Sequence, residues 1–327
     1  MSGNRIHWID SVKGFAMFLV IYSHNYPMMN NYFYSFHVPL FFFVSGIFHP
    51  NNDKTNTLNF IKKRFISIMI PYFLWAILLY VFWFLIGRHY GESERMNLSV
   101  LNNFIGIWTG QGGQSFMDWG IPIWFLPCVF SMFVIYGLIK IINNKILEVI
   151  LIAICAPLGY YMSYFFEWYI WSIDVALVGI VFYALGNYFK KLDISYVLLI
   201  LFGLIHILLH FYNGKVDMYR SNYGNNIFLF YINAVTACFF YLQLFKKLPK
   251  LKLLAYIGKH TIVFLALQMR MLTVIKLFMM VFLGITVFKF TELEKLGISV
   301  IQVLLLLPVA YLINKYLPIL DGKKKKL

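Results

Sequence analysis

Three side chains near the start of the chain can do chemistry, although the segment around them is apolar. Asp10, Lys13 and His24 lie in the stretch DSVKGFAMFLVIYSHNYP, residues 10–27. Charged and titratable groups inside a membrane helix are costly, so they are candidates for function by default. Histidine changes protonation near neutral pH, which suits it to proton transfer. We therefore interpret His24 as a proton-handling or catalytic residue; the alternative is a histidine that anchors or caps a helix end.

The spacing of Lys13 and His24 predicts that they share one face of a helix. They are eleven residues apart, and steps of about 100° leave an offset of only ~20° between them. The same spacing separates them by ~16 Å along the helix axis. Lys13 then lies near one membrane surface, and His24 lies in the opposite half of the membrane.

Two further polar features follow along the chain. His37 begins a second apolar segment, FHVPLFFFVSGIF, and is either a second site residue or an interfacial anchor. The segment KKRFISIMIPYFLW, residues 62–75, carries Lys62, Lys63 and Arg64. These cations either anchor the next span by the positive-inside rule or bind phosphate groups, and charge alone does not decide between the two.

An aromatic stretch, YYMSYFFEWYIWSID at residues 160–174, contains Glu167 and Asp174. Aromatic belts are normal at membrane interfaces, which is the simpler interpretation. Rings also stack on sugar faces and carboxylates accept hydrogen bonds from hydroxyls, so the stretch is a candidate carbohydrate site. Two cations in a later apolar segment, Arg270 and Lys276, are six residues apart and need not share a helix face.

The composition indicates which elements position these residues. Of the 327 residues, 61% are hydrophobic and 13% are charged, against about 45–50% and ~25% in soluble domains. Apolar runs of about 18 or more residues recur along the chain. We therefore predict an all-α integral membrane protein, with a single transmembrane domain over residues 1–327 and no soluble domain. The three cysteines lie in apolar segments and show neither a disulfide framework nor metal-ligand spacing.

Ten spans are predicted, joined mostly by short segments. Their approximate bounds are 11–29, 34–49, 66–87, 120–140, 146–164, 172–189, 194–212, 226–245, 260–284 and 298–317. The second span is short, so it is either tilted or partly re-entrant.

The distribution of lysine and arginine predicts that both chain termini are cytoplasmic. With this orientation, 20 of the 28 basic residues face the cytoplasm and six lie in outer loops, as the positive-inside rule requires. The cytoplasmic set is Arg5, Lys13, Lys54, Lys62, Lys63, Arg64, Lys140, Lys145, Lys190, Lys191, Lys246, Lys247, Lys250, Lys252, Lys259, Lys315, Lys323, Lys324, Lys325 and Lys326, and the outer set is Arg88, Arg95, Lys215, Arg220, Lys289 and Lys295. The net charge of +15 therefore reflects topology and attraction to anionic membrane lipid rather than binding of nucleic acid.

Taken together, these stretches resemble the acyltransferase 3 family, multi-span membrane enzymes that O-acylate bacterial cell-surface glycans. The subgroup that the chain most resembles is that of the fucose 4-O-acetylase-like proteins. The family's opening D-x-x-R-G pattern and its R-x10-H motif correspond here to Asp10, Lys13, Gly14 and His24. Lysine in the arginine position keeps the positive charge but lacks the guanidinium fork.

Further blocks of the chain resemble the family in the same order. FHVPLFFFVSGIF, IPIWFLPCVF, SIDVALVGIVFYALGNY and YIGKHTIVFLALQ each resemble a family block. In the family's R-x-x-R motif, Arg64 matches the first position and Ser67 occupies the second. Relatives often carry histidine where this chain has Gln268, so no histidine role is transferred to that position.

The resemblance implies an O-acyltransferase, by default an O-acetyltransferase, in the bacterial plasma membrane. It would move the acetyl group of cytoplasmic acetyl-CoA, with no metal, to a sugar hydroxyl of a capsule, exopolysaccharide or lipid-linked glycan. His24 would be the general base and Asp10 an orienting carboxylate. The donor phosphates would be held by Lys13, Lys62, Lys63 and Arg64. The acceptor would be bound by His37, Trp124, Glu167 and Asp174. Transfer is either direct or through an acyl-histidine, and the sequence indicates no oligomeric state.

Two other classes of function compete with this interpretation. A transporter of glycan or lipid-linked sugar would also use an aromatic-lined bundle, although the sequence shows no inverted repeat. A receptor or assembly scaffold would leave the lysine and histidine at helix-matched spacing in the first span unexplained.

Overall fold

The computed structural model of the protein describes residues 6–50, 54–89, 91–285 and 287–323. Arg5 and residues 324–326, which the charge argument places in the cytoplasm, lie outside the described residues. The helices in chain order are α1 (His7–Ser23), α2 (Asn30–Tyr34), α3 (His37–Ile47), α4 (Lys54–Arg64), α5 (Ile70–Leu85), α6 (Gly91–Arg95), α7 (Val100–Thr109), α8 (Gln114–Met117), α9 (Phe125–Ile141), α10 (Lys145–Met162), α11 (Ile173–Tyr188), α12 (Tyr196–Asn213), α13 (Ile227–Lys247), α14 (Lys252–Lys259), α15 (Thr261–Leu283) and α16 (Glu292–Tyr316). A two-residue antiparallel ladder joins β1 (Val216–Asp217) to β2 (Asn222–Tyr223).

Within the described residues, eight helical segments are long and apolar enough to cross a membrane. They correspond to the third through tenth predicted spans, which confirms an all-α, multi-pass membrane protein. The first of the eight, Asn56–His89, runs through α4, a π-helical turn at Phe65–Met69, and α5. The helices of the first two predicted spans are shorter, since α1 has 17 residues and α3 has 11, against the ~20 needed to cross the hydrocarbon core upright.

Polar residues at the helix ends explain why several helices begin and end where they do. The side chains of Ser99, Asn144, Ser195 and Asn226 accept hydrogen bonds from backbone N–H groups in the first turns of α7, α10, α12 and α13. Such N-caps satisfy donors that have no partner within the helix. At the other end, α15 stops at Gly284, whose φ of 68° lies in the left-handed region that favours glycine.

The chain divides into two compact units, of which the first contains the described residues up to Ile47, Tyr188–Met218 and Asn222–Ile313. Within this unit α1 is central and packs against α3, α13, α14 and α15. Among the other helices of the unit, α12 and α13 make the most extensive contact. Because α1 carries Asp10 and Lys13 and ends at His24, the helix with the candidate chemistry contacts at least four other helices of its unit.

The second unit contains Phe48–Asn187, Tyr219–Ser221 and the described residues from Asn314 onward. Helices α9 and α11 form its interior, with 72% and 67% of their candidate spans buried, whereas only 17% of the α10 span is buried. Lys140 of α9 pairs with Glu148 of α10 at 2.9 Å, and both side chains are buried. Lys140, which the sequence suggested only as a topology signal, therefore also has a structural partner.

Candidate functional site

One uninterrupted helix carries both Lys13 and His24. Helix α1 includes Lys13 in its second turn, and His24 is its C-terminal cap with helical backbone angles. The geometry of a regular helix therefore applies between them, which gives ~16 Å and a shared face. The spacing predicted from the sequence is thus built into a single rigid element.

Asp10 lies against Lys13, not against His24. The Lys13 ammonium is 3.0 Å from the Asp10 carboxylate, one turn earlier on α1, and Asp10 is only 4% exposed. Fourteen residues separate Asp10 from His24, which amounts to ~21 Å along the helix. Asp10 therefore fixes the position of the lysine charge, and any effect on His24 would have to be indirect.

Gly14 allows another helix to approach the backbone at this end of α1. A Cβ atom on Gly14 would overlap the backbone carbonyl of Leu254 in α14, and a Cβ on Gly258 would overlap the backbone carbonyl of Asp10. The two helices therefore meet backbone to backbone, as small residues permit in membrane bundles. The glycine of the D-x-x-K-G pattern is thus explained by packing, because it holds the Asp10–Lys13 turn against α14.

The half-buried His24 side chain faces a pocket of about 160 Å³ within the first unit. The same pocket is lined by Asn25, Lys276, Phe288 and Lys295. Among the described residues, no side chain or carbonyl group is hydrogen-bonded to the His24 imidazole. Its ring nitrogens are therefore available to a bound molecule, as a general base requires.

A buried polar network supports the residue next to His24. The Asn25 amide nitrogen donates to the Ser299 hydroxyl at 2.8 Å and to the Gln302 side-chain oxygen at 3.3 Å. Gln302 in turn donates to the backbone carbonyl of Gln268 at 2.6 Å. Ser299, Gln302 and Gln268 are all 0% exposed. The network joins the end of α1 to α16 and α15, and so orients the pocket wall beside His24.

His37 lies near His24 at the start of α3. The two imidazoles are close enough to interact electrostatically. The His37 Nδ1–H donates to the backbone carbonyl of Phe33 at 2.6 Å, and the side chain is 5% exposed. This hydrogen bond fixes the ring and leaves Nε2 as its second polar atom. His37 therefore lies within electrostatic range of His24, although it does not line the pocket that His24 faces.

In the second unit, the basic cluster at the end of α4 divides into exposed and enclosed cations. Lys62 and Lys63 are exposed. The half-buried Arg64 guanidinium lies over the Phe60 ring at 4.8 Å and over the Phe133 ring at 5.0 Å. No carboxylate among the described residues pairs with Arg64. Arg64 is therefore a planar donor group that lies over two rings and has no carboxylate partner among the described residues.

The aromatic region of the second unit contains Trp124 and Asp174. The Tyr219 ring lies 5.5 Å from the Trp124 ring and 4.9 Å from the Trp168 ring, measured between centroids. Asp174, which is 3% exposed, accepts a hydrogen bond of 2.6 Å from the Ser221 hydroxyl. These residues form a cluster of rings with one buried carboxylate beside the short 219–221 segment.

Glu167 differs from Asp174 although the two share one aromatic stretch of sequence. The Glu167 side chain is exposed and makes no hydrogen bond or ion pair with the described residues. Asp174 instead lies in the first turn of α11, which starts at Ile173. Only one of the two predicted carboxylates is therefore enclosed among other side chains.

Several buried polar residues were not singled out from the sequence. In the first unit, the His206 Nδ1–H donates to the Asn233 side-chain oxygen at 2.5 Å, and both residues are 0% exposed. In the second, His49 shares a hydrogen bond of 2.8 Å with the Tyr183 hydroxyl. The sequence signal was a histidine inside an apolar run, the same signal that identified His24. Within the described residues, no group of three or more His, Cys, Asp or Glu side chains could hold a metal ion.

An all-helical chain with eight candidate membrane-crossing helices, and with polar side chains enclosed among them, is a multi-pass membrane protein. The Acyl_transf_3 family model, described as an acyltransferase domain, matches residues 6–315. The chain therefore belongs to this family, and it is a membrane acyltransferase. Neither the comparison with curated proteins nor the comparison with solved structures gives a match.

Proposed function

We propose that the chain is a membrane O-acetyltransferase that transfers the acetyl group of acetyl-CoA to a sugar hydroxyl of a cell-surface or lipid-linked polysaccharide. One observation carries the proposal most directly. Helix α1 places Lys13 and His24 on one face ~16 Å apart, with His24 open to a pocket. This separation is of the order of the pantetheine arm that joins the CoA phosphates to the thioester.

In the proposed reaction, His24 acts as the general base. A ring nitrogen of His24 takes the proton of the acceptor hydroxyl while the hydroxyl oxygen attacks the thioester carbonyl carbon. A C–O ester bond forms, the C–S bond breaks, and the proton passes to the departing CoA thiolate. His37, which lies within electrostatic range of His24, would contact the acceptor. A positive charge on either imidazole would disfavour protonation of the other.

Four cations, Lys13, Lys62, Lys63 and Arg64, are the candidates for binding the donor phosphates. In the first unit, Asp10 holds the Lys13 ammonium in place, and Lys13 would act as a point charge toward phosphate. In the second, Arg64 would offer its planar fork, and the exposed Lys62 and Lys63 would add longer-range attraction. Arg64 suits this role because it has no carboxylate partner among the described residues.

The acceptor sugar would use rings and carboxylates. Trp124 belongs to a cluster of aromatic rings that could stack on sugar faces. Asp174 and Glu167 would accept hydrogen bonds from sugar hydroxyls, and Asp174 is the enclosed carboxylate of the two. We further propose a single transmembrane domain in the bacterial plasma membrane with ten spans and cytoplasmic termini. The excess of Lys and Arg in the alternate loops supports this orientation.

A transfer assay tests the proposal. The purified protein would be reconstituted in vesicles and given acetyl-labelled acetyl-CoA together with the surface glycan of the source cells. We expect label on the glycan with the wild type and a loss of at least 100-fold with His24→Ala, since general-base catalysis contributes about 10²–10⁴-fold. The exposed His89 supplies the control, because His89→Ala should transfer at the wild-type rate. A wild type that transports glycan across the vesicle membrane without labelling it would support the transporter alternative.

A further inference from the structure

The pocket beside His24 contains a lysine, Lys276, that has no carboxylate partner among the described residues. Lys276 lies in α15, inside a candidate membrane span, and its side chain is half-buried. Among the described residues no carboxylate lies within ion-pair distance of its ammonium group. The ammonium instead lies over the Phe288 ring, 5.6 Å from its centroid. A charge in such a place is costly unless it is paired, and a ring at that distance compensates only weakly.

The second lysine of the pocket is, by contrast, already neutralised. The Lys295 ammonium lies 2.7 Å from the Glu292 carboxylate and donates to the Tyr26 carbonyl at 2.9 Å. The other oxygen of Glu292 accepts from the backbone N–H of Met28 at 2.8 Å. This pair therefore fastens the segment after His24 to the start of α16. It leaves the Lys276 charge as the unbalanced one in the pocket.

Phe288 and Phe290 form an aromatic part of the pocket wall. The Phe288 and Phe290 ring centroids are 6.0 Å apart, and Phe290 packs against the cluster of Leu272, Ile275 and Ile298. Rings of this kind offer flat apolar surface to a sugar face. The pocket, at about 160 Å³, is smaller than the roughly 300–1,000 Å³ of pockets for drug-sized ligands. It therefore has room for about one sugar unit.

From this combination we infer that the His24 pocket binds an acidic sugar unit of the acceptor, with Lys276 as the counter-ion of its carboxylate or phosphate group. The inference rests on the proposed function, because it takes the pocket at His24 as the place of the acceptor. An anionic group held at Lys276 would anchor the sugar while one of its hydroxyls meets the His24 ring. Lys276 thereby becomes a specificity-determining residue that selects acidic over neutral acceptors.

Binding of small sugars to the full-length protein in detergent tests this inference without requiring transfer. Equilibrium dialysis would compare radiolabelled glucose, glucuronate and glucose 6-phosphate, which share a ring and differ in the group at C6. We expect the wild type to bind at least one of the two anions about tenfold more tightly than glucose, the effect of one charge-assisted contact. The better anion identifies carboxylate or phosphate as the natural group. Equal binding of all three sugars, or no binding of either anion, would overturn the inference.

Variants of Lys276 complete the test. Lys276→Gln should remove the preference for the anions, whereas Lys276→Arg, which keeps the charge, should retain it. Lys289 is exposed and does not line the pocket, so Lys289→Gln should behave as the wild type does. A preference that survives in Lys276→Gln would overturn the inference. The proposed function fails separately, if acetyl transfer to glycan is absent while the anion preference and its dependence on Lys276 are present.

Discussion

Asp10 and Lys13 form an ion pair of 3.0 Å one helical turn apart on α1. The carboxylate is buried and the ammonium is partly exposed, with 5% and 26% of the side chains accessible. Asp10 therefore limits where the lysine charge can lie. If Lys13 binds a donor phosphate, the two residues should have separable effects on donor binding and on stability.

The first prediction concerns the affinity for acetyl-CoA. Lys13→Ala should weaken binding by about 10–100-fold, because a hydrogen bond to a charged group contributes about 1.5–3 kcal/mol. Lys13→Arg should bind acetyl-CoA at least as tightly as the wild type, since the planar guanidinium group of arginine can donate two hydrogen bonds to one phosphate. The measurement is the dissociation constant of acetyl-CoA for protein in nanodiscs.

The same substitution leaves Asp10 without its lysine, so a control must separate folding from binding. Asp10→Asn combined with Lys13→Ala should recover part of the melting temperature lost in Lys13→Ala, because the charge of the buried carboxylate is removed together with the lysine that balances it. The double variant should still bind acetyl-CoA weakly. Recovery of donor affinity in the double variant would contradict a phosphate-binding role for Lys13.

The second prediction concerns the contact between α1 and α14. Gly14→Ala and Gly258→Ala should each lower the free energy of unfolding by about 1–3 kcal/mol, because the added methyl group meets backbone that cannot move aside. Gly297 is the matched control, since a Cβ there meets nothing within 4 Å. Gly297→Ala should be neutral or stabilising, as alanine is the better helix former. Thermal unfolding in one detergent compares the three variants, and equal losses in all three would refute the packing argument.

The part of the site that follows from helix geometry could be predicted from the sequence. Lys13 and His24 lie on one helix with the predicted spacing because every residue of a regular helix turns by the same angle. The long apolar helices were likewise predictable, since a bilayer requires a minimum length of apolar chain. The first two segments showed apolar composition but form helices of only 17 and 11 residues.

Partners distant in sequence could not be predicted, because periodicity gives the face of a helix and not what covers it. Asn25 meets Ser299, 274 residues further along the chain. Gly14 meets Leu254 because α14 crosses α1 at that point. Glu167 and Asp174 looked equivalent in sequence, yet of the two only Asp174 has a hydroxyl partner among the described residues. That partner is Ser221, 47 residues further along the chain. These relationships depend on how the helices pack, which single-residue patterns do not encode.

The third prediction ranks the cations of the second unit. Arg64→Ala should weaken acetyl-CoA binding more than Lys62→Ala or Lys63→Ala, because the Arg64 guanidinium is half-buried over two rings while the lysines are exposed and screened. Arg64→Lys should recover only part of the affinity, since lysine keeps the charge without the planar fork. Titrations at low and high salt provide the measurement. The lysine variants should differ from the wild type only at low salt, and a larger loss for Lys63→Ala than for Arg64→Ala would contradict the ranking.

The fourth prediction compares two buried glutamines that have opposite roles. Gln268 and Gln302 are both 0% exposed. Neither polar atom of the Gln268 side chain finds a hydrogen-bond partner among the described residues. The Gln302 amide, in contrast, donates to the Gln268 backbone and accepts from Asn25. An unsatisfied buried polar group costs about 1–3 kcal/mol, so removing the Gln268 amide should be favourable and removing the Gln302 amide unfavourable.

Methionine is the substitution to use, because it is unbranched, of similar length, and adapts to irregular surroundings. Gln268→Met should raise the melting temperature of the protein in detergent, and Gln302→Met should lower it. Acetyl-transfer activity should persist in Gln268→Met, since the backbone carbonyl that Gln302 uses is unchanged. A fall in melting temperature for Gln268→Met as large as that for Gln302→Met would mean that the Gln268 amide does have a partner in the folded protein. The sign of the difference between the two variants therefore decides whether the Gln268 side chain is a stabilising or a destabilising polar group.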